Sequence, residues 1–354
     1  MRSKALRQGT RGSVLIVVVG MLAILLLMTV SVGRRANQEL VLVKYSLQKM
    51  QSRYLAWAGF HYSLSYIRAD GLDEKTGRYD SQFACAVKLI EEQTPEDIFK
   101  EVKLGGGSFG VTAGQDPVRY GMGDEDGKLN LNAVGVPNYG ILKELLVIAG
   151  LDLNSANMVA ASAVDWRDED SEPALGKEQQ QEEGPFGPEK EPLRAKNRPF
   201  DQVVELMFIN RMTPEVYEKI KNGLTVFPRR VDNLKINLAT APREVLLAMA
   251  RFFSGPVTGT SRGDADGLVT KLLASRAGED RIEGTADDQE LVETKMALTM
   301  PEQVIFRLMM QYETKTSRFI SFRVSGFEGA NRRQSHIDAV VDRQTLTVVS
   351  WRND

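Results

Sequence analysis

Carboxylates are the side chains of this sequence with the most chemistry to offer. They crowd between Gly263 and Asp288, where Asp264, Asp266, Glu279, Asp280, Asp287 and Asp288 stand among Gly263, Gly267, Gly278 and Gly284. Acids on turns that glycine permits suit a hard cation such as Ca2+, which takes roughly six to eight oxygen ligands. The same stretch also reads as an acidic loop held in solvent by its charge. Asp124, Glu125, Asp126 and Gly127 look like the opening of an EF-hand loop, but no Glu stands at the twelfth position to close it. Reactive side chains are poorly set. No G-x-S-x-G, H-E-x-x-H or G-x-x-x-x-G-K-[ST] pattern occurs, and Gly105 to Gly107 lacks the Lys-Ser/Thr of a phosphate cradle. Asp168 and Asp170 form an acid pair, yet glycoside hydrolysis needs a defined carboxylate separation that sequence proximity does not supply. Cys85 is the sole cysteine, so no intrachain disulfide can form, and it reads as a small buried hydrophobe. His61 and His336 lie far apart, without partners at zinc-site spacing. The expectation is a chain that is not an enzyme. With 45 Lys and Arg against 47 Asp and Glu, nothing favours nucleic acid either.

The elements that carry these residues begin with an apolar run. SVLIVVVGMLAILLLMTVSV, from Ser13 to Val32, has no charge and matches the ~30 Å hydrocarbon core of a bilayer. Arg2, Lys4, Arg7 and Arg11 precede it, while Arg34 and Arg35 follow with Glu39 close behind, an asymmetry that sends the body outward. No A-x-A-like cleavage site follows the run, so the anchor is expected to be retained. Beyond it Leu40, Val43, Leu47, Met50, Tyr54, Trp57, His61 and Leu64 recur at steps of three and four, the seam of an amphipathic helix. No proline interrupts, and the spacing predicts one helix from Val14 to Arg68, on the order of 80 Å long.

The soluble part mixes two patterns. Phe109 to Tyr120 has strand character, and Arg318 to Phe327, Gln334 to Asp342 and Thr345 to Trp351 form β-rich runs separated by turn residues, an antiparallel meander. Thr94-Pro95-Glu96-Asp97 and Thr213-Pro214-Glu215 each supply a cap, a proline at the first helical position and early acids. Between strand and meander the apolar spacing is helical, from Ile141 to Ile148 through to Glu302 to Met309, as in an inserted α-domain. Asn130 and Asn132 alternate with Leu129 and Leu131 and are placed to tie loops together. Trp166, between Asp165 and Arg167, can bury its ring while the charges stay outside.

A short basic leader ending in Gly12, an apolar half and an amphipathic half together resemble the type IV pilins and pseudopilins. The ordered segments YGMGDEDGKLNLNAV, SAVDWRDEDSEP, NRPFDQVVEL and INLATAPREVLLAM, with a last strand containing Trp351-Arg352, resemble more narrowly the K-type minor pseudopilin family of type II secretion. That resemblance implies an α+β, type IV pilin-like fold with a large inserted all-α domain. Residues 1–12 would be the leader, 13–33 and 34–70 the two halves of the helix, 71–124 with 311–354 the body, and 125–310 the insertion. It implies cleavage by prepilin peptidase between Gly12 and Ser13, with methylation of the new terminus. Partners would be the I- and J-type minor pseudopilins along the seam Leu40, Val43, Leu47, Met50, Tyr54 and Trp57, the major pseudopilin below, and the inner-membrane secretion platform. Location is expected in the inner membrane, with the body periplasmic. The family also binds Ca2+ in its helical domain, although Arg281 and Glu283 depart from the loop pattern. Most pilin-like chains carry a glutamate at the fifth mature position, where Val17 stands here. A buried glutamate in lipid needs a partner, and a subunit lacking it has no use for a neighbour ahead, which marks the filament tip. Two alternatives remain: a minor pilin of a type IV pilus, and a tethered DNA receptor suggested by the hairpin-like Ile236 to Pro242 but lacking a cationic cluster.

Overall fold

The computed structural model describes residues 11–70, 80, 85–87, 94–113, 118–168, 174, 195–279, 281, 283, 291–328 and 333–353. A first helix, α1 (Arg11–Asp70), runs 60 residues without a break, or roughly 90 Å. Beyond Arg11, the stretch from Gly12 to Val32 has only apolar residues and the small hydroxyls of Ser13, Thr29 and Ser31. Thr29 Oγ1 folds back onto the Leu25 carbonyl at 2.8 Å, so this hydroxyl presents no unmet donor to lipid. The helix is long and apolar enough to cross a membrane, and none of its apolar window is covered by the rest of the chain.

The last part of α1 lies on an antiparallel sheet. After α2 (Pro95–Phe99) come β1 (Val102–Leu104), β2 (Gly107–Thr112) and β3 (Gly123–Asp124), and the chain closes with β6 (Phe319–Glu328), β7 (Arg333–Asp342) and β8 (Thr347–Asn353). The order across the sheet is β1-β2-β6-β7-β8, with β3 also paired to β6. Every second residue of the central strands faces the helix, so Phe109, Val111, Ile320, Phe322, Val324, Ile337, Ala339 and Val341 are buried. From α1 the matching face is Ser52, Leu55, Ala56, Gly59, Phe60, Ser63 and Ile67, at helical spacing. Small residues let the backbones meet. A Cβ at Gly59 would overlap Val324 and lie 2.7 Å from the Phe109 ring, and one at Gly326 would overlap the Ser52 carbonyl and lie 2.5 Å from the Ala56 nitrogen. Ser52 and Ser335 share a buried hydrogen bond of 2.8 Å across the same contact. The expected strand from Phe109 to Tyr120 is two shorter arms. β2 ends at Thr112, which faces Tyr120 in an antiparallel bridge, and the Ala113 N–H donates to the Arg119 carbonyl at 3.0 Å.

Between β3 and β6 sits a separate hydrophobic cluster built mainly of helices. These are α3 (Tyr139–Ala149), α4 (Leu153–Arg167), α5 (Pro214–Ile220), α6 (Arg243–Phe253), α7 (Arg262–Arg276) and α8 (Met300–Met310), with β4 (Leu129–Asn130) and β5 (Leu224–Thr225) forming a short parallel pair. Asn132 is fully buried and does tie loops: its amide donates to the Phe200 and Val226 carbonyls at 3.1 and 3.0 Å and accepts from the Phe200 N–H at 2.7 Å. Asn130 reaches the Pro228 carbonyl at 3.0 Å. Trp166 buries its ring beside Phe200 and Phe208, while its indole N–H donates to Glu205 at 3.0 Å. Thr213 caps α5 as its sequence predicts. Pro242, expected in the first turn of its helix, is instead the N-cap residue of α6.

Candidate assembly surface

An amphipathic seam does chemistry only by being covered, so its exposure is the first question. Leu40, Val43, Leu47, Met50, Tyr54 and Trp57 are between 47% and 69% exposed. Val41, Leu42 and Tyr45, on other faces of α1, are also exposed. The sequence reading placed an apolar stripe on one side. From Leu40 to Leu47 the structure has apolar side chains around most of the circumference, a condition that a helix tolerates only when neighbours enclose it. Higher up, where the sheet takes one face, the stripe narrows to Tyr54, Trp57 and His61. Trp57 is held in place there, its ring 5.3 Å from that of Trp351 and 6.3 Å from Phe60. Val17 is exposed on the apolar segment, and the Gly12–Ser13 junction lies in the first turn of α1.

A second group of functional side chains lies where the helical part leaves the body, and the sequence reading missed its role. Asp124 is buried at the end of β3. Its Oδ2 accepts hydrogen bonds from Thr240 Oγ1 at 2.6 Å, Ser317 Oγ at 2.7 Å and Asn237 Nδ2 at 3.2 Å, while Oδ1 accepts from the Asp126 N–H at 2.9 Å. Asp126 in turn accepts from the backbone N–H groups of Arg318 and Phe319 at 2.6 and 2.9 Å. Glu125 pairs with Lys128 and accepts from Thr225. This cluster therefore ties the outgoing chain, the start of α6 and the returning chain to one another. It is a joint between the body and the inserted helices. Burial pushes the Asp124 carboxyl up to about 6, against the pull of the Thr240 and Ser317 hydroxyls. Burial and the neighbouring Asp124 charge push Asp126 up to about 7. Nearby, Arg343 lies between Asp70, the last residue of α1, and Asp80, to which it donates at 2.7 Å.

The acidic stretch after Gly263 also differs from its reading. Asp264 and Asp266 are not on a loop but in the first turns of α7. Asp264 accepts from the Ser261 N–H and Oγ at 2.8 and 2.6 Å, completing a capping box that holds its carboxyl below the usual range. Asp266 takes a two-pronged ion pair from Arg251, with both bonds at 3.0 Å. Both carboxylates take part in fixing the helix. Glu279 lies on the turn after α7, and Asp280, Asp287 and Asp288 fall outside the described residues. Among the described residues no group of three or more His, Cys, Asp or Glu converges as a metal site.

A membrane-length rod laid on an antiparallel sheet, with a helical part inserted between strands, is a pilin-like fold. Residues 127–229, in the inserted part, match the family described as Type II secretion system (T2SS), protein K. The whole fold is similar to the solved structure titled "The Crystal Structure of the GspK-GspI-GspJ complex from enterotoxigenic Escherichia coli Type 2 Secretion System". That similarity has a TM-score of 0.60 at 17% identity and covers 88% of this chain and 99% of that one. No curated protein sequence matches the chain.

Proposed function

We propose that this chain is the K-type minor pseudopilin of a type II secretion system, seated at the tip of the periplasmic pseudopilus and held in the inner membrane by α1. The observation that carries the reading is the exposed apolar circumference of α1 from Leu40 to Leu47, continuous with a membrane-spanning segment and capped by a body enlarged by the inserted helices. A rod of that kind is stable in water only inside a bundle of similar rods. Its partners are two sibling minor pseudopilins of the I and J types, with the major pseudopilin added below and the inner-membrane platform driving growth. Prepilin peptidase produces the mature terminus at Ser13. Val17 fits the tip because it offers no carboxylate to a subunit above. The role is structural, and no reaction is assigned to the chain.

The test is co-expression with both siblings, followed by purification from detergent-solubilised membranes. Leu47→Asp with Met50→Asp places charge on exposed positions below the body, so the melting temperature should stay put. Recovered siblings should fall by roughly tenfold or more, the scale expected when an interface anchor is lost. Undiminished recovery would remove the reading. Calcium is a separate proposal. Its candidate ligands are Asp264, Asp266, Glu279, Asp280, Asp287 and Asp288. Millimolar Ca2+ should raise the melting temperature relative to chelator, and an equal temperature in both would dismiss the ion.

A further inference from the structure

The sheet is wider than the helix that covers it. α1 packs along β2, β6 and β7, leaving β8 as an edge strand beside it. Ser52 meets Ser335 near the start of β7, and Asp70 at the end of α1 meets Arg343 just past its end, so β7 runs with the helix and β8 runs against it. On β8, Trp351 pairs in register with buried Ala339 and Val348 with buried Val341, so both side chains stand on the side of the sheet that carries α1. Trp351 touches Phe60 at 4.8 Å and Trp57 at 5.3 Å between ring centres. Val348, farther from the membrane end, is 42% exposed and Trp57 is 47% exposed. An apolar shelf therefore flanks α1, made by Trp57, Trp351 and Val348.

We infer that this shelf receives the rod of a sibling pseudopilin, so that its contact passes from the α1 seam onto the last strand of the body. The inference rests on the assembly proposed above and names where one partner sits. Continuity selects the occupant: Leu47, Met50 and Tyr54 lead up the exposed side of α1 to Trp57, and Trp351 and Val348 extend the same apolar track without an intervening acid. A track that runs along the helix axis is filled by another helix lying alongside. Two packed indoles also supply rigid contact area with little rotamer freedom left to lose, the composition that dominates interface energetics. The strand edge itself is blunted, because the register of β8 shifts between Val340 and Val341, leaving Val349 as a bulge that discourages strand addition. Side chains on the face of β8 make the contact, and its backbone edge stays out of it.

The experiment uses the full chain co-expressed with both siblings. A photo-crosslinking residue placed at position Val348 should give an adduct with one sibling, and Val348→Asp, on an exposed position, should lower recovery of that sibling by roughly fivefold or more while the body melts normally. Trp351→Phe should retain most of the binding. If Leu47→Asp with Met50→Asp releases the siblings but Val348 yields no adduct and Val348→Asp binds as the native chain does, the seam stands and the shelf is wrong. If the Leu47 and Met50 changes release nothing, the assembly reading falls, and the shelf with it.

Discussion

Gly326→Val should abolish the folded body while leaving the inserted helices intact. A Cβ there would meet the Ser52 carbonyl and the Ala56 nitrogen, backbone atoms of α1. Overpacking ordinarily costs about 1 to 3 kcal/mol because side chains yield. Here neither partner can step aside: β6 is paired on both sides by β2 and β7, and α1 is fixed at the same level by the Ser52–Ser335 bond. The penalty should exceed about 3 kcal/mol, a large part of the ~5 to 15 kcal/mol that holds a typical domain. Tryptophan positions make the outcome readable. Trp57 and Trp351 report on the body and Trp166 on the insertion. In urea, the variant should lose the transition of the first pair and keep that of the third. A native midpoint for all of them would show that the close approach is not there.

Asp124→Ala should loosen the joint without melting either core. The change leaves the Thr240 and Ser317 hydroxyls, the Asn237 amide and the Asp126 N–H without their shared acceptor in a buried place. Orphaned buried donors cost about 1 to 3 kcal/mol, and several share this one acceptor, so a total of about 3 kcal/mol is expected. Amide exchange should rise at Arg318 and Phe319, and around Asn237 to Thr240, while α3 keeps its protection. Asp124→Asn preserves an acceptor and should lose less. The variants also differ in pH response. The folded Asp124 value of about 6 lies above that of an unfolded aspartate, so its share of stability is full below about pH 4 and is lost as pH rises through about 6. Asp124→Asn should be flatter across that window, with the Asp126 contribution remaining. Exchange at Arg318 and Phe319 that matches the native chain would refute the joint.

Much of the architecture could be read from the residues because the strongest patterns are long. A charge-free run followed by steps of three and four predicts α1 to within a few residues of its observed span, and alternation with turn residues predicts β6, β7 and β8. Local capping chemistry at Thr94 and Thr213 found the starts of α2 and α5. Where the reading failed, one composition supported two structures. Gly263 and Gly267 near acids suggested a loop, yet Ser261 with Asp264 is itself a capping box, and that signal was available. Asp124 to Asp126 shows an acid cluster whose partners, Thr240 and Ser317, are distant in sequence, so no local pattern could reveal a joint. Gly59 and Gly326 carry no sequence mark at all, since their importance lies in what would be struck by a side chain they lack.

The bare fit of Gly326 against the backbone of α1 bears on how force travels. Side chains between two layers can shear or change rotamer, whereas main chain pressed on main chain has no such slack. Lift or torque applied at the lipid end of a roughly 90 Å lever is therefore delivered to the sheet without lost motion. The head turns and rises in step with its root, like a key blade with its bow.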